Sequence, residues 1–184
     1  MKNITYRIII GGFGGQGIIT LGKILAYTGM EEKKYVSFLP SYGAEMRGGY
    51  AFCTLSISTE EIPSPVISRA DIGVFMDRRS LEKYKERMKK NGTILINSSL
   101  IKNEFPERGL KVIRIPATEM AEKIGTVKIA NMIAAGALLK IIRNEKKEFL
   151  SLPCLQEGLK RVLPKKLEFL DLNKKAIEKG WEIK

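Results

Sequence analysis

Tyr6 to Tyr27 reads YRIIIGGFGGQGIITLGKILAY, and this stretch decides the fold. Tyr6 to Ile10 is a short, apolar, largely β-branched run bounded by glycines, which predicts a buried strand. Ile18 to Tyr27 repeats its apolar residues at the spacing of one helix face, which predicts a helix. A strand that runs through Gly-x-Gly-x-x-Gly into a helix is typical of a phosphate-binding turn.

The first loop offers backbone donors to a ligand. Glycines allow tight turns and close approach, and the free N–H groups at a helix start favour an anion. Gln16 adds a side chain that can both donate and accept hydrogen bonds. The candidate binding residues here are Gly12, Gly14, Gly15, Gln16 and Gly17. A second interpretation stays open, in which the glycines only let the helix pack against the sheet.

A second glycine-rich loop follows the next predicted strand and reads SYGAEMRGG over residues 41–49. Because it follows that strand, we expect it at the same sheet edge as the first loop, where ligands of open α/β sheets bind. Arg47 offers a planar fork for a carboxylate or phosphate, and Glu45 could pair with it or with a basic partner. The ligand or interface candidates of this loop are Ser41, Tyr42, Gly43, Glu45, Arg47, Gly48 and Gly49. An internal lock between Glu45 and Arg47 is the alternative.

The rest of the chain alternates strands and helices, which predicts an α/β domain. The predicted further strands are Tyr35–Leu39 (stopped by Pro40), Tyr50–Ser58, Ile72–Met76, Thr93–Ile96 and Lys111–Ile115. The predicted further helices are Ser80–Lys90, Thr118–Ile124, Lys128–Ile142, Leu155–Val162 and Leu167–Lys179. No crossover helix separates the second and third strands, so they are expected to pair antiparallel in a mixed sheet. We therefore expect residues 1–184 to form one three-layer α/β/α domain that is Rossmann-like.

A stand-alone nucleotide-binding protein is the alternative function. Dinucleotide sites of this architecture need an acidic residue at the end of the second strand, to bind the ribose. That strand ends Phe38-Leu39-Pro40-Ser41, and Glu31 and Glu32 lie at its other end. The sequence therefore disfavours NAD or FAD.

Composition excludes several kinds of chemistry. The chain has no histidine and only two cysteines, so it lacks the commonest general base and the four ligands of an iron–sulfur cluster. The net charge of +12 predicts acidic partners, although its lysines alternate with glutamates rather than with aromatics, which disfavours a nucleic-acid module. No apolar run spans a membrane and no secretory signal is recognised, so a cytoplasmic location is expected.

Together the two loops resemble the gamma subunit of 2-oxoacid:ferredoxin oxidoreductases, most closely the 2-oxoglutarate and branched-chain types. The first loop is similar to the family's GxGGQG, and the second is similar to its SYGxEMRGG. Ser64-Pro65 resembles its short turn, and Asn131 resembles an asparagine of its late helix. Ala44 stands where proline is frequent, and Tyr50-Ala51-Phe52 is bulkier than usual, which could reflect a different packing partner. A relative acting on indolepyruvate is disfavoured, because its second loop usually has glutamine before the arginine.

The resemblance implies a complex that converts a 2-oxoacid and coenzyme A into an acyl-CoA and carbon dioxide while reducing ferredoxin. It implies thiamine diphosphate with magnesium, iron–sulfur clusters and coenzyme A in the complex, with no cofactor, metal or catalytic residue on this chain. The implied partners are alpha and beta subunits, with a delta subunit in some complexes, and ferredoxin through the complex. A homodimer of the isolated chain is left open, and neither nucleic acid nor membrane is expected.

Asn131 lies in the apolar Lys128–Ile142 segment. A buried amide without partners costs about 1–3 kcal/mol. We therefore expect its side chain to hydrogen-bond a nearby loop, residues 11–17, in preference to touching a ligand.

Overall fold

One mixed β-sheet organises the computed structural model, which describes residues 3–42, 49–102, 109–163 and 169–183. Within these ranges the strands are β1 (Thr5–Phe13), β2 (Tyr35–Tyr42), β3 (Tyr50–Ser58), β4 (Ala70–Phe75), β5 (Met88–Asn97) and β6 (Lys111–Ile115). The helices are α1 (Ile18–Glu31), α2 (Arg78–Tyr84), α3 (Ala117–Ile124), α4 (Ala130–Glu145), α5 (Leu152–Val162) and α6 (Leu170–Trp181).

The strand order β2-β3-β1-β4-β5-β6 places the first strand inside the sheet. β3 runs antiparallel to both β1 and β2, whereas β4, β5 and β6 continue parallel to β1. β1, β2, β4, β5 and β6 therefore all end at one edge, called here the carboxyl edge. The mixed sheet and the antiparallel step between β2 and β3 were both predicted, and both are confirmed.

The two faces of the sheet are covered unequally. On the first face, Ile8 and Ile10 of β1 belong to a large core with α1, α3, α4, α5 and α6. On the second face, Ile9 belongs to a smaller core with Leu81 of α2 and with Ile67 from the segment before β4. The predicted three-layer α/β/α arrangement is confirmed, and its second-face layer is the thinner one.

Several predicted element ends differ from the structure, and two of these differences have a clear physical cause. β2 does not stop at Pro40 but continues to Tyr42, because proline is tolerated on an edge strand. The predicted helix Ser80–Lys90 ends at Tyr84, a 3-10 turn follows, and β5 begins at Met88. There the pairing of Met88 with Ala70 of β4 overrides the helical charge pattern.

Helix α4 is the buried helix that the sequence predicted. Twelve of its sixteen residues are buried, among them Asn131. Among the helices of the described ranges, none is both long and apolar enough to cross a bilayer.

Candidate functional site

The two glycine-rich loops meet at the carboxyl edge. Phe13 at the end of β1 pairs with Tyr50 at the start of β3, and Tyr42 at the end of β2 pairs with Ala51. The N–H of Gly14 donates to the carbonyl of Gly49 at 2.9 Å, which joins the loops directly. The expectation that both loops lie at one edge is thus confirmed for their described ends. The candidates Gly43, Glu45, Arg47 and Gly48 lie outside the described residues.

Gln16 is held by the protein itself. Its Oε1 accepts from the N–H of Phe13 at 3.0 Å, and its Nε2 donates to the carbonyl of Met76 at 3.3 Å. A Cβ on Gly12 would lie 2.5 Å from that same Oε1, so Gly12 leaves room for the amide. Gln16 and Gly12 therefore stabilise the conformation of the first loop through contacts within the protein.

Gly17 and Asn131 form the second internal contact of the first loop. Asn131 is only 4% exposed, and its Nδ2 donates to the carbonyl of Gly17 at 3.1 Å. Gly17 caps α1 with φ +70°, and a Cβ there would lie 2.3 Å from Asn131 Nδ2. The predicted hydrogen bond from Asn131 to residues 11–17 is confirmed. Asn131 Oδ1 is buried and has no hydrogen-bond partner among the described residues.

Gly15 is the open position of the loop. Its φ is +105°, and no atom of the described residues lies within 4 Å of the place a Cβ would occupy. The loop then enters α1, whose first N–H groups have no partner within the helix and whose dipole favours negative charge. The chemistry available here is binding of an anionic group by backbone donors.

Asn97 is a site residue that the sequence analysis missed. It is fully buried at the end of β5, and its Nδ2 donates to the carbonyl of Met76 at 3.3 Å and to Thr118 Oγ1 at 2.8 Å. Since Gln16 uses the same Met76 carbonyl, this network couples the first loop to β4, β5 and the start of α3. The available signal was a polar residue directly after the apolar run Thr93–Ile96.

The end of β2 and the nearby cysteine offer neither an acidic group nor a reactive thiol to the site. In the described part of β2 that reaches the carboxyl edge, Leu39-Pro40-Ser41-Tyr42, no carboxylate is present, and Ser41 is exposed. Burial raises the pKa of the nearby Cys53 thiol to about 12, so this thiol stays protonated at neutral pH. Across the described ranges, no group of three or more cysteine, aspartate and glutamate side chains could hold a metal ion.

Residues 7–183 match the family model described as pyruvate ferredoxin/flavodoxin oxidoreductase. Ketoisovalerate oxidoreductase subunit VorA of Methanothermobacter thermautotrophicus is 31% identical, over 96% of this chain and 36% of the relative. 2-oxoglutarate synthase subunit KorC of Methanothermobacter marburgensis is 34% identical, over 96% of this chain and 95% of the relative. The chain thus spans about a third of VorA and nearly all of KorC.

Solved structures share the fold. The gamma subunit of a keto/oxoacid ferredoxin oxidoreductase from Geobacter sulfurreducens superposes with a TM-score of 0.80 at 26% identity, covering 96% of each chain. A 2-oxoglutarate:ferredoxin oxidoreductase from Magnetococcus marinus, solved with 2-oxoglutarate, coenzyme A and succinyl-CoA bound, superposes with a TM-score of 0.82 at 25% identity. That match covers 98% of this chain and 30% of the Magnetococcus chain.

Proposed function

Because this chain belongs to the pyruvate ferredoxin/flavodoxin oxidoreductase family, we propose that it is the gamma subunit of a 2-oxoacid:ferredoxin oxidoreductase. The assembled enzyme cleaves the bond between the carboxylate and the oxo carbon, releases carbon dioxide and transfers the acyl group to the coenzyme A thiol. The two electrons released reduce ferredoxin. The observation that carries this proposal is the similarity to KorC over nearly the whole of both chains.

The proposed oxoacid is 2-oxoglutarate. Support comes from the relatives, since 2-oxoglutarate synthase subunit KorC is 34% identical to this chain and ketoisovalerate oxidoreductase subunit VorA is 31% identical. A complex co-purified with the tagged chain should be assayed with 2-oxoglutarate, ketoisovalerate and pyruvate. We expect the highest kcat/KM for 2-oxoglutarate. A preference for ketoisovalerate would correct the substrate, and no oxidation of any of the three would contradict the proposal.

The chemistry of the complex is proposed to reside on companion chains in the cytoplasm. Thiamine diphosphate, magnesium and the iron–sulfur clusters would be held by alpha and beta subunits, with a delta subunit in some complexes, because such cofactors carry the difficult steps themselves. This chain has no histidine to move protons, and burial keeps Cys53 protonated. Its own contribution is a rigid scaffold that presents the two loops.

We place the loops at the approach of coenzyme A, whose phosphates are anionic. The described residues fit such a group at Gly15 and the start of α1, where the backbone is open and the helix dipole is favourable. Gln16 and Asn131 would act indirectly, because their side chains hold the loop shape. Arg47 would supply a cation from the second loop.

Replacing Arg47 by alanine in the assembled complex tests this placement. We expect the KM for coenzyme A to rise at least about tenfold, because a hydrogen bond to a charged group contributes about 1.5–3 kcal/mol. The matched control is Arg161→Ala, which removes an exposed arginine paired with Glu31 on the first face. Unchanged assembly together with an unchanged KM for coenzyme A in Arg47→Ala would contradict the placement.

A further inference from the structure

An aromatic and basic surface lies on the second face of the sheet, beside the carboxyl edge. Phe13 and Tyr50 are cross-strand neighbours on this face, and they are 39% and 43% exposed although both are large aromatic residues. Phe52 lies two residues further along β3 and stacks on Tyr84 of α2, with ring centroids 4.3 Å apart and an interplanar angle of 13°. We call Phe13, Tyr50, Phe52, Lys83, Tyr84 and Arg87 the aromatic–basic surface.

Cationic side chains from α2 and from the turn after it make cation–π contacts with these rings. Lys83 Nζ lies 4.3 Å from the ring centroid of Tyr50, and the guanidinium carbon of Arg87 lies 5.5 Å from that of Phe52. Arg87 also donates to the carbonyl of Ile67, which fixes its orientation. The Phe52 ring and the Arg87 guanidinium are therefore oriented before any partner binds. Aromatic residues and arginine are the types enriched at the centres of protein interfaces.

The charge around this surface is predominantly positive. Residues 78–90 carry seven arginines and lysines against two glutamates. Arg78 pairs with Glu82, and Lys89 pairs with Asp71. Among the described residues, Arg79, Lys83, Lys85 and Lys90 have no ion pair. Arg79 is four residues before Lys83 on α2, so both cations lie on the same side of the helix.

The surface is continuous with the edge where the two loops meet. Phe13 belongs to the first loop, and Tyr50 directly follows the second. Leu39 of β2 extends the apolar area, since it lies on the same sheet face and is 46% exposed. Apolar patches of this kind, rimmed by charged residues, mark interaction sites.

We propose that the aromatic–basic surface docks a companion subunit of the oxidoreductase, through a segment that combines carboxylates with apolar side chains. This inference rests on the proposed function and names the surface that the partner covers. A second copy of this chain fits poorly, because it would bring a net charge of +12 against the same basic face. A polyanion would satisfy the cations but would leave the apolar area around Leu39 uncovered. In VorA the matching region continues into one longer chain, which is consistent with a lasting contact to a neighbour.

The test measures binding of this chain to the co-produced alpha–beta assembly of the same complex. The charge variant is Arg79→Glu/Lys83→Glu, and its matched control is Lys23→Glu/Lys175→Glu, two exposed lysines on helices of the first face. Each reversal removes two charge units, so both variants fall from +12 to +8. Tyr50→Ala tests the apolar part without a change in charge.

We expect the charge variant to weaken binding at least tenfold and to flatten its dependence on salt concentration. The control should stay within twofold of the wild-type chain, and Tyr50→Ala should weaken binding about fivefold or more, as expected for an interface centre. If all variants bind like the wild type, the docking surface is wrong and the proposed function stands. If the wild-type chain itself does not bind the assembly, the proposed function fails.

Two further outcomes would overturn the inference in favour of another occupant. In one, Arg79→Glu/Lys83→Glu abolishes binding of a single-stranded RNA oligonucleotide and leaves binding to the assembly unchanged. In the other, sedimentation shows a dimer of the isolated chain that Tyr50→Ala dissociates, again with unchanged binding to the assembly.

Discussion

The contact between Asn131 and Gly17 requires both of these residue types. The asparagine amide occupies the space that a side chain at residue 17 would need, and in return it donates to the Gly17 carbonyl. The left-handed backbone of Gly17 suits glycine for a second reason, since other residues pay strain there. This contact connects the start of α1 to the start of α4, residues far apart in sequence.

A double-mutant cycle on these two residues should show strong coupling. We expect Gly17→Ala to lower the free energy of unfolding by about 2–3 kcal/mol, from left-handed strain and from displacement of the amide. In an Asn131→Ala background the same change should cost only the strain, about 1–2 kcal/mol. Urea unfolding of the four proteins measures the difference. If the losses of unfolding free energy in the two single variants add up to that of the double variant, the Asn131 amide does not interact with residue 17.

Cys53 should make stability depend on pH under alkaline conditions. Burial raises its pKa from an ordinary 9.0 to about 12, so the folded state keeps the proton that the unfolded state releases. The stabilisation is therefore complete below about pH 9 and is lost progressively as pH rises towards 12. By about pH 10.5 we expect a loss of about 2 kcal/mol. Urea titrations at several pH values should show a shallower decline for Cys53→Ala, and equal slopes for both proteins would refute this origin.

At the scale of secondary-structure elements, α4 and α6 approach so closely that glycines are required. A Cβ on Gly180 would lie 1.9 Å from the carbonyl oxygen of Ile133, and a Cβ on Gly136 would lie 1.9 Å from that of Ile177. The two glycines thus sit on facing sides of one helix pair. Neither glycine has an unusual backbone angle, so close packing alone explains them.

Gly180→Ala should separate α6 from α4. We expect the free energy of unfolding to fall by about 3 kcal/mol, since the obstacle is backbone and cannot rotate away. Lys175→Ala is the matched control on the exposed side of α6, and its effect should stay within about 0.5 kcal/mol. Chemical denaturation measures both. A Gly180→Ala protein as stable as its control would mean that the helices are further apart than described.

The sequence predicted those elements whose signal is local. The strand before the first loop, the alternating strand β3 and the buried helix α4 were all recognised, because apolar periodicity is set by the element itself. Residues 88–90 were mistaken for the end of a charged helix, because their strand state depends on pairing with β4. Pro40 was taken as a strand end, because nothing in the local sequence shows that β2 lies at the sheet edge.

The site was predictable as two loops at one edge, but its internal bonding was not. That Asn131 would support the first loop followed from the cost of burying an amide, and the contact to Gly17 agrees. That Gln16 and Asn97 share the Met76 carbonyl depends on the order of β1, β4 and β5 in the sheet. Long-range hydrogen bonds of this kind leave no spacing pattern in the sequence.

At the scale of the whole molecule, this chain combines a well-packed core on one face with an incompletely covered second face. The chain also carries a net charge of +12, which favours binding to acidic partners over binding to further copies of the chain. Both properties are expected of a subunit that functions within a larger assembly.

The isolated chain should therefore be inactive. We expect no reduction of ferredoxin by purified chain supplied with 2-oxoglutarate, coenzyme A, thiamine diphosphate and magnesium, because its residues offer no redox centre. Adding the alpha–beta assembly should restore activity in proportion to the chain bound, up to saturation. Reduction by the chain alone would show that it holds a catalytic centre of its own.

Pro40 affects how the chain behaves between its synthesis and its assembly with other subunits. β2 forms one of the two outer margins of the sheet, and a margin of free backbone groups is a template on which another polypeptide can extend the ladder. Proline lacks the N–H that such extension needs, so the margin is a poor seed for filaments. We therefore expect that this margin does not draw newly made chains into filaments before assembly, so that other surfaces recognise the correct neighbours.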